Sequence, residues 1–293
     1  MSNYVLSCCS TSDLSPEEYK SRNIECLCFH FFMDDKEFID DFGKTISYKD
    51  FYQRMLDGVV TKTTQLNSQQ YIEYFEKFLK EGKDIIHVTL SSGLSGTYQS
   101  ALIARDMLLE KYKDRKIYIV DSLGASSGYG LLVCKMATLR DQEMSIDDLY
   151  NWAINNRLKV HYWFFSTDLK FYVRGGRISK SAGLIGNILH LCPVLNMNVE
   201  GKLTPRKKII GKKRAIDDVV NEMIANTSKD YNDECFICNS ECIDDANRVK
   251  EKVENYFPNL KGKVKIFNIG TTIGSHTGPG TVALFFFGKE RIN

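Results

Sequence analysis

The strongest constraint in this sequence is a repeated order: a short apolar or β-branched run, a loop of small residues, then a segment of helical period. Asp84 to Leu90 passes through a Ser/Gly loop into a helical stretch near Tyr98 to Tyr112. Lys116 to Val120 then passes through a second small-residue loop into Leu131 to Arg140. This order predicts βαβ units carrying a parallel sheet. The region before it reads the same way. A strand near Tyr4 to Ser7 precedes Ser15-Pro16-Glu17-Glu18, which has the form of an N-cap, a proline at the first helical position and a capping-box acid. Ile24 to Phe32 alternates like a strand, and Ser47 with Asp50 opens another helix. Tyr71, Ile72, Phe75, Phe78 and Leu79 recur at helical spacing until Gly82 ends the run.

After Val160 to Ser166 the texture changes. An Arg174-Gly175-Gly176-Arg177 turn and a Gly-rich helical stretch at Ala182 to Leu191 are followed by two runs, Cys192 to Met197 and Lys202 to Ile210. These two predict a hairpin around Glu200-Gly201. The expected fold class is α/β, with two α/β domains: residues 1–165 with a mainly parallel sheet flanked by helices, and residues 166–293 as a smaller α/β domain. No Pro/Gly/Ser linker separates the halves, so they are expected to pack closely around a crevice.

Composition narrows the class of function. At 293 residues with 43% hydrophobic and 26% charged positions, the chain has the make-up of a folded protein long enough for about two domains. Basic minus acidic residues is 39 − 37 = +2, so no global field draws it to nucleic acid. The longest apolar runs, such as Val282 to Phe287, fall far short of the roughly 20 residues that cross a bilayer. The N-terminus has neither a cationic n-region nor an apolar h-region, so a cytoplasmic location is expected. Nine cysteines without an export signal read as reduced, mostly buried thiols.

The most informative chemistry lies in Leu90-Ser91-Ser92-Gly93-Leu94-Ser95-Gly96-Thr97-Tyr98, between a strand and a helix. Glycines admit a ligand close to the backbone, hydroxyls donate, and the first amides of a helix favour an anion. The segment reads either as an anion-binding turn or as an ordinary βα loop. It is also one residue away from a nucleophile elbow, with Thr97 in place of the last glycine. A serine esterase or thioesterase is therefore the alternative, its triad running Ser95, Asp121, His276. His276 is the one loop histidine, set among four glycines and a proline between Gly270 and Gly280, and is marked as functional. The other four fall in strand-like or helical runs. In the hydroxyl-rich loop from Thr61 to Ser68, Asn67 and Ser68 are capping candidates, whereas Thr63 and Thr64 have no local duty. Cys235, Cys238 and Cys242 lack a second ligand pair, so no metal site is expected. Arg206 to Arg214 holds six basic residues of nine and reads as a solvated face and helix start, with contact to a partner, a headgroup or RNA as the alternative.

Seven segments, in order, resemble the DegV family of bacterial fatty-acid-binding proteins. They are Ser10 to Leu14, Lys62-Thr63-Thr64-Gln65, Ser91 to Tyr98, Val120-Asp121-Ser122 with Ala125-Ser126, Gly175 to Ser179, Cys192 to Leu195, and His276 to Gly280. The resemblance implies a two-domain carrier without catalytic residues or cofactors. It would bury a long-chain fatty acid in an apolar tunnel and present the acid to a separate fatty acid kinase. It places the carboxylate at the domain interface on Thr63, Ser95 and Gly96, with His276 nearby and with Thr64, Ser92 and Gly278 extending the pocket. It leaves room for transient contact with a membrane. The sequence departs from the family's pattern at Cys9, where aspartate is common, at Leu66, where proline is common, and at Ile210, where the family's Lys-x-Arg segment has arginine.

Overall fold

The computed structural model describes residues 4–179 and 190–292. The expected helical stretch from Ala182 to Leu191 lies mostly outside these residues. His190, at its end, is exposed and holds a left-handed φ of 60°, so it turns the chain rather than continuing a helix.

The first sheet is parallel. Strands β1 (Tyr4–Cys9), β2 (Glu25–Leu27), β6 (Asp84–Thr89) and β7 (Ile117–Asp121) lie in the order β2-β1-β6-β7. The helix signals before it act as expected. Ser15 accepts a hydrogen bond from the Glu18 amide at the start of α1 (Pro16–Ser21), and Ser47 accepts from the Asp50 amide at the start of α2 (Tyr48–Leu56). Asn67 and Gln70 form a reciprocal capping box on α3 (Ser68–Lys80).

The run Ile24 to Phe32 is not one strand. Its first part pairs in the parallel sheet as β2. The part after Phe29 becomes β3 (His30–Met33), the centre of a separate antiparallel sheet between β4 (Lys36–Ile39) and β5 (Thr61–Thr64). Alternation is the same in both, so the break was invisible to it. The hydroxyl-rich segment is likewise strand rather than loop up to Thr64.

Strand β8 (Val160–Ser166) opens a six-stranded sheet of order β10-β9-β8-β13-β11-β12. It is completed by β9 (Leu191–Met197), β10 (Leu203–Ile210), β11 (Cys235–Asn239), β12 (Lys265–Asn268) and β13 (Thr281–Phe287). The β9–β10 pair is the expected antiparallel hairpin, turning at Gly201 with φ of 70°. The middle of this sheet, β8, β13 and β11, is buried on both faces, which is why β13 and most of β8 read as apolar runs. Trp163, Phe165, Val282, Leu284 and Phe286 pack beneath α8 (Lys212–Asn226) and α9 (Ile243–Tyr256). Tyr162, Phe164, Ala283 and Phe285 face the other way, into the core shared with the parallel sheet.

Between the sheets runs α5 (Ser126–Asp141), buried on nearly every side and in contact with β1, β8, β11 and β13. It begins five residues before the expected Leu131. Ser126 to Gly130 read as loop by composition, yet their small side chains are what allow close approach. A Cβ on Gly128 would lie 2.1 Å from the Tyr162 ring, and one on Gly130 would lie 2.7 Å from the Ser12 carbonyl. Among the described residues no helix is long and apolar enough to cross a membrane, and no group of three or more His, Cys, Asp or Glu has metal-site geometry. Cys235 and Cys238 point to opposite faces of β11 and belong to different cores.

Candidate functional site

A cavity of about 440 Å³ lies between the parallel sheet, the three-stranded sheet and the inner face of the six-stranded sheet. Its walls are mostly apolar: Leu90 and Leu94 from one side, Phe164, Ala283 and Phe285 from the other, Phe29 and Ile273 across them. Thr63, Thr64, Gln65, Ser95, Gly96, Arg177 and His276 also line it, and further hydroxyls come from Ser126, Tyr162, Tyr172, Thr272, Thr277 and Thr281. Five of the seven residues anticipated for the pocket therefore come together. The two others do not line it. Ser92 is exposed, with its amide donating to Asp121 Oδ1 at 3.1 Å. Gly278 has φ of 68° and packs against the Phe171 ring, where a Cβ would lie 2.0 Å from the ring.

Thr63 owes its place to β5, which pairs Thr63 with Phe31. His276 is not in a loop. It lies in the short helix α10 (Thr271–Thr277), whose entry is fixed from the first lobe: Asp13 Oδ1 accepts from the Gly270 amide at 3.0 Å, and Asp40 Oδ1 accepts from the Thr271 hydroxyl at 2.8 Å. Glycines 270 and 274 suggested irregular backbone, but Gly274 is there for space, since a Cβ would fall 2.4 Å from the Tyr52 hydroxyl oxygen.

His276 Nε2 lies 2.8 Å from Thr63 Oγ1. Its Nδ1 is buried against Gly175 and has no hydrogen-bond partner among the described residues. An orphaned buried N–H is rarer than an orphaned lone pair, so we assign the hydrogen to Nε2. Thr63 Oγ1 then accepts from the imidazole, and its own O–H is free to donate into the cavity. Among the described residues no carboxylate partners this histidine. Burial, followed by the charges of Arg177 and Arg174, lowers the pKa to about 3 and keeps the ring neutral.

Ser95 sits in the turn between β6 and α4 (Thr97–Lys111), where its amide donates to the Ser91 carbonyl at 3.2 Å. Ser95 Oγ accepts from the Thr97 amide at 3.3 Å, which leaves its hydrogen available to a ligand. The turn is braced by the second lobe, because Ser91 Oγ donates to the Gly201 carbonyl of the β9–β10 hairpin at 2.8 Å. Arg177 is the residue that sequence reasoning passed over, although its motif was noted. Its guanidinium, the one such group among the described residues lining the cavity, donates to the Gly175 carbonyl at 2.5 Å and the Leu94 carbonyl at 3.2 Å. Hydroxyl donors and a half-buried cation on the lining of an otherwise apolar cavity suit an anionic head on an apolar body.

The family model described as "Uncharacterised protein, DegV family" matches residues 9–289. The chain belongs to the DegV family. A DegV domain-containing protein of Clostridium perfringens is 37% identical over 291 residues, covering 99% of each chain, and one of Lactococcus lactis is 32% identical over 283 residues, covering 96% of each. Two solved structures share the fold. A Thermotoga maritima protein titled as revealing a fatty acid binding function has TM-score 0.85 at 22% identity, covering 98% of this chain and 100% of that one. The fatty acid kinase B3 protein of Streptococcus pneumoniae, loaded with linoleic acid, has TM-score 0.84 at 21% identity, covering 98% and 99%.

The DegV relatives give the esterase alternative no support. No hydrogen bond joins Ser95, Asp121 and His276. Asp121 Oδ1 accepts from the amides of Ser92 and Leu123, both at 3.1 Å, and the histidine's only hydrogen-bond partner among the described residues is Thr63. A serine hydrolase needs its base on the nucleophile and its acid on the base. In the basic segment, Lys207 pairs with Asp218 and Glu222 and Lys212 with Asp245, as a solvated face would. Ile210, at the family's arginine position, ends β10 and is exposed.

Proposed function

We propose that this chain is a non-enzymatic carrier of one long-chain fatty acid. The acyl chain fills the apolar cavity, and the carboxylate accepts hydrogen bonds from Thr63 and Ser95 beside the Gly96 amide. His276 acts through Thr63 by fixing the direction of its hydroxyl, and Thr64 borders the same opening. The observation that carries the reading is an apolar cavity of about 440 Å³ whose lining includes the Thr63 and Ser95 hydroxyls and the Arg177 guanidinium. We place the boundary between the lobes in the Arg157–Lys159 turn, because β8 pairs only within the six-stranded sheet.

Magnitudes favour affinity from the tail. A dozen buried methylenes give roughly 10 kcal/mol gross at about 0.8 kcal/mol each. Each hydrogen bond to the charged head adds about 1.5–3 kcal/mol net. The head contacts then set orientation and the choice of acid over ester, while the cavity sets affinity.

The fatty-acid-loaded kinase subunit among the structural relatives supports a further step, in which a separate kinase phosphorylates the presented carboxylate. Nothing in the pocket of this chain is asked to react. Mass spectrometry of freshly purified protein after denaturation tests the reading. A released free long-chain acid, in a ratio near one per chain, is the expected result. A covalent acyl adduct on Ser95 would overturn it.

A further inference from the structure

Gln65 lies just past the end of β5 and lines the same opening as Thr63, Ser95 and Gly96. Its side-chain amide covers the Gly96 backbone. A Cβ built on Gly96 would fall 2.4 Å from Gln65 Oε1, 3.1 Å from Cδ and 3.2 Å from Nε2. Gly96 has an ordinary φ of −73°, open to any residue, so the backbone does not require glycine there. The amide of Gln65, the exposed end of a flexible side chain, stands where a side chain at 96 would go. Gln65 has no hydrogen-bond partner among the described residues, and its sequence neighbour Leu66 is buried in the core, which anchors the backbone on which the amide stands.

Gln65 thus neighbours both donors that would hold the head. Thr63 precedes it by two residues on the strand side, and Ser95 adjoins Gly96 on the helix side. A side-chain amide offers two N–H donors whichever way its plane is turned. We propose that Gln65 is a third head-group contact that sets selectivity for an anionic head, and that position 96 is glycine to admit the amide. The proposal rests on the carrier reading above. It differs from a bland surface glutamine in requiring that residues 65 and 96 act as one unit on the charged head and leave the tail alone.

The test measures Kd for palmitate and for methyl palmitate with the full chain and with Gln65→Ala, Gln65→Glu, Gly96→Ala and the Gln65→Ala/Gly96→Ala double variant. Loss of one hydrogen bond to a charged group corresponds to about a tenfold to hundredfold weakening. Gln65→Ala is expected to weaken palmitate by about that factor. Gln65→Glu, which adds a like charge, is expected to weaken it further, and neither should change the methyl ester. Gly96→Ala is expected to match Gln65→Ala, because its methyl displaces the amide, and the double variant should be no worse than either single one. Equal weakening of acid and ester, unchanged palmitate affinity in Gln65→Ala, or additive losses in the double variant would overturn the proposal. If the unsubstituted chain binds neither ligand, the carrier reading itself fails, a separate result that these variants cannot imitate.

Discussion

The imidazole of His276 meets the hydroxyl of Thr63 at 2.8 Å, and among the described residues no carboxylate stands behind it. In a hydrolase the corresponding nitrogen would face the nucleophile and the other nitrogen an acid. Here one nitrogen orients a threonine and the other is closed off by Gly175. On the proposed carrier reading, the arrangement positions a donor.

Removing either donor should weaken binding while leaving the fold intact. For Thr63→Val and Ser95→Ala we expect about a tenfold to hundredfold loss of fatty-acid affinity, the worth of one hydrogen bond to a charged group. Isothermal titration with palmitate, alongside thermal unfolding, checks both halves. Unchanged affinity in both variants would contradict the head-group assignment.

Stability should fall in mild acid. Burial lowers the pKa of His87 to about 3, and burial with the Arg291 charge lowers that of His161 to about 4. His276 is lowered to about 3. These rings are neutral in the folded chain but take up a proton near pH 6.5 when unfolded. Between about pH 6.5 and about pH 4 the unfolded state therefore binds more protons, and stability drops as pH is lowered. We expect Tm to hold above about pH 7 and decline below about pH 6.5. The non-titrating variant His276→Asn should show a shallower decline, and an identical pH profile would refute the neutral-histidine assignment.

Gly128 offers a test in which two effects oppose each other. Alanine in a helix is ordinarily better than glycine by about 1 kcal/mol. Here the added methyl would lie 2.1 Å from the Tyr162 ring and 2.7 Å from that of Phe285, both fully packed. Overpacking of this kind costs about 1–3 kcal/mol. Gly128→Ala should thus be net destabilising in chemical denaturation. It should also weaken fatty-acid binding, because both rings line the cavity.

Narrowing the cavity should change which acids fit. Ala283 lies on the inner face of β13 opposite Phe164, both in the wall. A phenylalanine at 283 fills space that two or three methylenes would use, at about 0.8 kcal/mol each. Competition between long and shorter acids should move toward the shorter by roughly one order of magnitude. A uniform loss across lengths would show that the tail does not pass Ala283.

Much of this was legible in the sequence for identifiable reasons. The caps at Ser15, Ser47 and Asn67 announce themselves because each side chain bonds its own helix, so local residues decide the outcome. The parallel sheet and the β9–β10 hairpin followed from patterns of short range. What stayed hidden depends on distant partners. The split between β2 and β3 is made by two different sheets competing for one alternating run. The first turn of α5 is helical because Tyr162 and Leu14 need the space left by Gly128 and Gly130. His276 seemed a loop residue because the ties that hold α10, from Asp13, Asp40 and Tyr52, lie more than 200 positions away. At the site, Thr63, Ser95 and His276 were found through motifs. Arg177 was passed over because its carbonyl partner Leu94 is visible only in three dimensions.

The central claim is the location of the acid group, and a crystal structure of the chain with bound palmitate tests it most directly. The expected map shows carboxylate oxygens within about 3.2 Å of both Thr63 Oγ1 and Ser95 Oγ, with the alkyl chain running inward past Phe164 and Phe285. A carboxylate placed elsewhere, or a cavity filled by rearranged side chains with the acid bound on the surface, would contradict the account.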